Sequence, residues 1–113
     1  MAAAISNEIV RIYAHYQERG PSRAKTYVFD DVVLTVMEES AGTVEQTLAQ
    51  AGDEELVEDI RARVQGVIAG ELKAAVERFT GRRVRAIMGG SQIDPDGRCD
   101  VFLLEPGAAS KAG

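Results

Sequence analysis

The sequence predicts an α+β domain with elements in the order αββααββ: a four-stranded antiparallel sheet with helices on one face, one of them long. Two segments repeat apolar residues at helical spacing, a capping box begins a shorter helix between them, and the segments at 27–29 and 32–36 are rich in β-branched and aromatic residues. Glycine also marks both helix-to-strand junctions, GPSRAK at residues 20–25 and TGRRVR at 80–85. The order reads as one αββ unit used twice.

Length and composition limit the number of domains, the cellular location and the kinds of partner that we expect. The 113 residues fit one domain, predicted over residues 1–107, with a flexible tail at 108–113. A net charge of −5 disfavours general nucleic-acid binding. The single cysteine, Cys99, excludes an intrachain disulfide and indicates a reducing compartment. No apolar run approaches the ~20 residues of a membrane span. We therefore expect a cytoplasmic protein without direct membrane insertion, and peripheral attachment through a partner stays open.

The first helix is predicted over residues 6–19. Gly20 supplies a left-handed cap, and Pro21 blocks continuation. Its apolar residues share one face: Ile5, Ile9, Ile12, Tyr13 and Tyr16.

A β-hairpin follows, with strands at residues 27–29 and 32–36. Asp30 and Asp31 form the tight turn between them. Because apolar residues occur on both faces of these strands, we expect the hairpin to be central in the sheet.

Two further helices are predicted in the middle of the chain. Thr43 and Gln46 match a capping box at the start of a short helix that ends at Gly52. Asp53 is then expected to cap a third helix that extends to residue 79 or 80. Its apolar stripe contains Leu56, Ile60, Val64, Val67, Ile68, Leu72, Ala75, Val76 and Phe79.

The third helix predicts a homodimer. At 1.5 Å per residue it is roughly 40 Å long, more than a sheet of short strands covers. Gly66 and Gly70 lie four residues apart in its interior, where each costs about 1 kcal/mol relative to alanine. Close approach of another backbone would explain both glycines, so Val64, Gly66, Val67 and Gly70 are predicted to form an oligomer interface; a tolerated local weakness is the alternative.

Gly81 ends this helix, and a second hairpin follows with strands at residues 84–88 and 99–104. The turn DPDG at residues 94–97 is expected to place Gly97 at positive φ.

Few residues point to catalysis. His15 is the only histidine, so it cannot build a zinc site, and Cys99 has no recognisable base. Asp94, Asp96 and Asp100 depart from a calcium loop, because Arg98 occupies its fifth position. We predict no catalytic residue, metal or cofactor.

Basic residues at the two junctions are the best candidate site. If the hairpins bring both clusters to one end of the sheet, they form an anion- or partner-binding patch. The alternative is that such cations complement the dipoles of the helix C-termini. The residues are Arg23, Lys25, Arg82, Arg83 and Arg85.

Several motifs together resemble a known family. They are ISNEIV at 5–10, GPSRAK at 20–25, EQTL at 45–48 with Gly52, Val57 and Arg61, and TGRRV at 80–84. Their order and spacing resemble the small bacterial family named for the C component of a Na⁺-translocating membrane-potential-generating system, over residues 5–104. SAGT at 40–43 and Glu18-Arg19 depart from its pattern. The resemblance implies a soluble accessory to a membrane system for sodium-dependent energisation, by association bicarbonate uptake, and no established catalytic residues.

These observations favour a non-enzymatic, homo-oligomeric accessory protein whose basic residues meet an acidic partner, a membrane-protein complex or a small anion. An RNA- or ribosome-associated module is one alternative. It would need aromatic side chains on an exposed sheet face, and at least two of Tyr27, Phe29 and Phe102 are expected in the core. An enzyme with a site across a dimer interface is the other alternative.

Overall fold

The predicted order of elements is confirmed. The computed structural model describes residues 1–16, 21–38, 43–92 and 96–106. The elements are α1 (Ala2–Tyr16), β1 (Arg23–Phe29), β2 (Val32–Glu38), α2 (Thr43–Gln50), α3 (Glu54–Thr80), β3 (Val84–Gln92) and β4 (Gly97–Leu104). The predicted cap at Gly20 and the predicted tail at 108–113 lie outside the described residues.

Helix α1 packs on the sheet through its repeating isoleucines. Ile5, Ile9, Ile12 and Tyr13 are buried, as the spacing predicted, whereas Tyr16 is 46 % exposed. The helix begins at Ala2, four residues before the predicted start, and the alanines of this extra turn favour helix.

The strands form one antiparallel sheet in the order β1-β2-β4-β3. The expectation that the whole first hairpin is central was wrong for β1, which is an edge strand. The hairpins join through β2 and β4, so only the second strand of each has two neighbours. The apolar residues on both faces of β1 therefore do not reflect a central position.

The two turn predictions had different outcomes. Asp30, at φ 41°, opens the turn between β1 and β2 as predicted. The expected positive φ at Gly97 was wrong, since among the described glycines only Gly52 and Gly81 have one. Gly97 is the first residue of β4, where a Cβ would lie 3.2 Å from the carbonyl oxygen of Met37. Because Gly97 has no side chain, β4 can lie close to β2 at this position.

Helix α3 is bounded by Asp53 and Gly81. Gly81 ends the helix, as predicted. It adopts the left-handed conformation and donates its N–H to the carbonyl of Glu77 at 2.8 Å. Asp53 occupies the N-cap position, but its side chain makes no capping hydrogen bond, which corrects that prediction. Glu54 and Glu55 lie in the first turn, where the helix dipole favours acid.

The core lies between the sheet and helices α1 and α3. On α3 it contains Ile68, Leu72, Ala75 and Val76. Leu56 and Val67, predicted in the same stripe, are 42 % and 75 % exposed. With 27 residues α3 is roughly 40 Å long. A strand of seven to nine residues spans about 23–30 Å, so α3 extends beyond the sheet.

Candidate functional site

The sheet has one covered and one open face. On the helix face, Thr26 and Thr35 lie under Ser6 of α1, and Asp100 lies under Tyr13 of α1 and Gln65 of α3. The strand register places the alternate residues together on the other side, here called the open face. The open face contains Arg23, Lys25, Tyr27, Phe29, Val32, Leu34, Val36, Glu38, Ala86, Met88, Cys99, Val101 and Leu103.

The open face exposes large apolar side chains. Phe29 is 55 % exposed, Met88 52 %, Val36 40 % and Tyr27 38 %. The rings of Tyr27 and Phe29 stack at 6.1 Å between centroids, and Lys25 Nζ lies 5.4 Å from the Tyr27 centroid. The expectation that at least two of Tyr27, Phe29 and Phe102 lie in the core was wrong, because only Phe102 of these three is buried. Tyr27 and Phe29 are as hydrophobic as core residues, but they occupy the alternate positions of β1 that face away from the helices.

The two predicted basic clusters do not meet. Arg23 pairs in register with Glu38, which pairs with Gly97 at one end of the sheet. β3 begins at the opposite end and on the opposite edge, since Ala86 pairs with Leu103. Arg23 and Lys25 therefore lie diagonally across the sheet from Arg82, Arg83 and Arg85, and the expected single patch at one end was wrong.

Arg82 has a structural role at its end of the sheet. Its Nη1 donates to the carbonyl of Asp30 at 2.5 Å, and its Nη2 donates to the Asp31 carboxylate and, at 2.8 Å, to the carbonyl of Glu105. This guanidinium thus links the β1–β2 turn to the end of β4. Arg83 and Arg85 are exposed, and binding by them stays a prediction.

The predicted oligomer residues lie mostly on the outer side of α3. Gly66, Val67 and Gly70 are exposed, and a Cβ built on either glycine meets no atom within 4 Å. Val64 packs instead against the core. Both glycines therefore have open space beside them in the described chain, and the dimer itself stays a prediction.

A buried polar row crosses the helix face. Thr26, Thr35, Asp100 and Gly89 are register partners across all four strands. Thr35 and Asp100 are fully buried, and Thr26 Oγ1 lies 3.1 Å from Thr35 Oγ1 and 2.7 Å from Ser6 Oγ. Polar groups at this depth are stable because they hydrogen-bond to one another.

Asp100 anchors this row. Its Oδ2 accepts from the Tyr13 hydroxyl at 2.7 Å, and its Oδ1 accepts from Gln65 Nε2. Burial raises the pKa of Asp100, although the Tyr13 hydrogen bond, the charge of Arg98 and Gln65 oppose the shift. Burial and the neighbouring Asp100 also raise the pKa of Tyr13.

A second buried group fixes the N-terminal half of α3. Arg61 Nε donates to Glu45 Oε1 of α2 at 2.6 Å, and its Nη2 donates to Asp96 Oδ1 at 2.8 Å. Burial alone would lower the pKa of Arg61, but its bonds to Glu45 and Asp96 outweigh burial and raise it. One side chain thus joins α2, α3 and the start of β4.

A cavity of about 250 Å³ lies between α3 and strands β3 and β4, on the helix face. Arg98 lines it and is 7 % exposed. Its Nε and Nη1 are buried and have no hydrogen-bond partner in the part of the chain that the structure describes. Its guanidinium carbon lies 4.6 Å from the Tyr13 ring centroid. Ser91, the register partner of Arg98, lines the same cavity.

Comparison with known proteins resolves the family. The family model described as "MpsC: Na+-translocating membrane potential-generating system (MpsC)" matches residues 1–106. The chain belongs to the MpsC family. Neither the curated proteins nor the solved structures contain a significant match. In the described part of this MpsC-family chain, no helix has the length and apolar character needed to cross a bilayer.

The remaining candidates for chemistry are scattered in this MpsC-family chain. His15 is exposed beside the ring of Tyr16, and Cys99 is half-buried on the open face. Asp94 lies outside the described residues, while Asp100 is committed to Tyr13. The described residues contain no cluster of three metal-ligating side chains.

Sequence reasoning missed the buried charged residues. Arg98 and Asp100 occupy the inward phase of β4 together with Phe102 and Leu104. Arg61 lies in phase with the buried Val57 and Ile68 of α3. Charged residues in the apolar phase of an element were the available signal, since such residues are rarely buried unless they are paired.

Proposed function

We propose that this MpsC-family protein is a non-enzymatic accessory protein that binds a protein partner through the open face of its sheet. The supporting observation is the continuous set of apolar side chains on that face, with Phe29 and Met88 more than half exposed. A contiguous apolar surface of this kind is characteristic of an interaction site.

The size of the open face favours one kind of partner. Four strands of about seven residues cover roughly 19 Å by 23 Å, or about 440 Å². A standard interface buries about 800 Å² on each partner, so two such faces alone would form a weak dimer. One or two amphipathic helices of a larger partner would cover the apolar centre and also contact the rim.

The charge distribution favours an acidic residue on that partner. Arg23 and Lys25 lie at one end of the face, and the Arg23 side chain is largely exposed, 3.6 Å from Glu38. An amphipathic helix with acidic residues at one end would therefore have a preferred orientation on the sheet.

The family description suggests where such a partner occurs. We propose that the partner is a component of the Na⁺-translocating membrane potential-generating system. Binding fits this chain better than catalysis, because the hydrogen-bonded pair of Tyr13 and Asp100 is fully buried and cannot reach a substrate.

The test is co-expression with the membrane subunits of that system, followed by detergent extraction and affinity capture of the tagged chain. In the variant Tyr27→Ser/Phe29→Ser, we expect at least a roughly 30-fold loss of affinity, because each ring is a potential hot spot of about 2 kcal/mol. Val67→Ser is the matched control, since Val67 is 75 % exposed on α3. This control should retain the membrane subunits.

Three results would contradict the proposal. Loss of capture in Val67→Ser alone would move the interface to α3. Conversion of a dimer to a monomer by the sheet variant, with the membrane subunits still captured, would identify the face as a self-association surface. A salt-sensitive complex with single-stranded RNA that is lost in the sheet variant would favour the RNA-binding alternative, for which exposed aromatic rings are typical.

A further inference from the structure

The cavity under α3 lies on the side of the sheet opposite the open face. Ala62 and Gln65 of α3 form one wall, and Gly89 and Gly90 of β3 form the other. The volume of about 250 Å³ corresponds to about eight water molecules at ~30 Å³ each, which suits a small ion and its contacts better than a nucleotide.

Arg98 is a buried cation that forms no ion pair with any described residue. The Tyr13 ring stabilises one side of its guanidinium through a cation–π contact. The Nε and Nη1 atoms have no acceptor among residues 1–16, 21–38, 43–92 and 96–106. A buried charge is costly unless it is paired and hydrogen-bonded, so an acceptor at Arg98 would be strongly favourable.

The nearby carboxylates are already engaged. Both oxygens of Asp100 accept hydrogen bonds, one from Tyr13 and one from Gln65. Glu45 and Asp96 both bind Arg61, which also lines the cavity. Arg98 therefore has a charged neighbour in Asp100, but no described carboxylate forms an ion pair with its N–H groups.

We propose that this cavity binds a small oxyanion of the carboxylate or phosphate type, held by the Arg98 guanidinium and the hydroxyl of Ser91. The two side chains are register partners on adjacent strands and line the same space. Arginine suits such a ligand because its planar N–H groups match the spacing of carboxylate and phosphate oxygens.

Glu58 provides a test of whether the ligand is negatively charged. It is the one carboxylate among the lining residues described, and it is exposed on α3. Its negative charge opposes an anion, so Glu58→Gln should tighten binding about two- to fivefold. This exposed substitution leaves the buried contacts of the fold in place.

The experiment is an amide NMR titration of the full chain with sodium phosphate and, separately, sodium acetate, at constant ionic strength set by sodium chloride. We expect saturable shifts at the amides of Gly89, Gly90 and Ser91. Arg98→Met should weaken binding about 10- to 100-fold, the range for hydrogen bonds to a charged group. Arg85→Met is the control, because Arg85 is exposed at the start of β3 and belongs to the basic set predicted from sequence.

Binding of either probe at these amides supports the proposal, and the tighter one distinguishes a phosphate from a carboxylate ligand. Absence of saturable shifts there with both probes would overturn it. Shifts confined to the start of β3 that disappear in Arg85→Met would also overturn it, and would assign anion binding to the exposed basic residues there. If Arg98→Met does not fold, the wild-type titration and the Glu58→Gln affinity still decide. This outcome is independent of partner capture through the open face.

Discussion

Replacing Arg61 with alanine tests whether one buried guanidinium fixes the N-terminal half of α3. The Arg61 side chain is 3 % exposed, and its partners Glu45 and Asp96 are 11 % and 21 % exposed. The substitution removes the positive charge that pairs with both carboxylates, which lie where few water molecules can hydrate them. It also removes the link between α2, α3 and the start of β4.

The expected loss of stability is about 3 kcal/mol. Breaking a buried ion pair by removing one partner costs roughly 3–5 kcal/mol, and the partial exposure of Asp96 places this site at the lower end. A chain of 113 residues has a total stability of about 6–17 kcal/mol at typical values per residue. The variant should therefore remain folded, with a clearly lower unfolding midpoint.

The assay is urea unfolding followed by far-ultraviolet circular dichroism. Arg63→Ala is the matched control, because Arg63 pairs with Asp59 on the same helix at 3.0 Å while both side chains are mostly exposed. An exposed pair of this spacing contributes only about 0.3–0.5 kcal/mol. Equal losses of unfolding free energy in the two variants would refute the reasoning, since a buried ion pair would then stabilise the fold no more than an exposed one.

A double-mutant cycle separates the ion pair from the packing of the side chain. In Arg61→Met/Glu45→Leu, both charges are replaced by apolar groups, so much of the loss should be recovered. A double variant as unstable as the sum of the two single variants would show that Arg61 and Glu45 are not coupled.

Three further perturbations follow from the helix face and from α3. Gly89→Ala should destabilise strongly in urea unfolding, because its Cβ would lie 2.3 Å from the carbonyl oxygen of Cys99; an unchanged midpoint would contradict this close approach. Asp100 has a raised pKa in the folded state, so it contributes stability that is complete below about pH 4 and is lost as pH rises through that pKa. The difference in unfolding free energy between wild type and Asp100→Asn should therefore fall with rising pH, by at most about 1.4 kcal/mol per pH unit. A difference that rises with pH would mean that the Tyr13 hydrogen bond to the Asp100 carboxylate outweighs the effect of burial. Gly66→Ala and Gly70→Ala should each raise stability by roughly 0.5–1 kcal/mol, because both lie in a helix interior with open space around the Cβ position. Light scattering on the same samples tests the predicted interface, since dissociation of a dimer by these alanines would show that the glycines serve close helix contact.

Much of the fold could be predicted because its signals are local. The isoleucine spacing in α1, the turn at Asp30 and the left-handed Gly81 each depend on a few neighbouring residues. Local patterns do not determine which strands become neighbours. The pairing of β2 with β4 placed Arg23 and Arg82 at opposite ends of the sheet.

The candidate sites were harder to predict because hydrophobicity does not report which face of a strand is covered. Tyr27 and Phe29 have the composition of core residues, yet they occupy the phase of β1 that faces away from the helices. Arg98 shows the opposite problem, since a charged residue in the covered phase is buried. Both outcomes depend on packing between elements that are distant in sequence.

The strand order also has a consequence for the route by which the chain folds. Each hairpin joins neighbouring strands, so its contacts close short loops and form early. The contacts between β2 and β4 join residues about 60 to 70 positions apart, with α2 and α3 between them. We therefore expect the central pairing to close last, so that the sheet assembles from its two edges towards its middle. We expect this long-range closure to be the rate-limiting step, with the β2–β4 seam formed in the transition state. Substitutions at the seam should then slow folding more than equally destabilising ones at the edges.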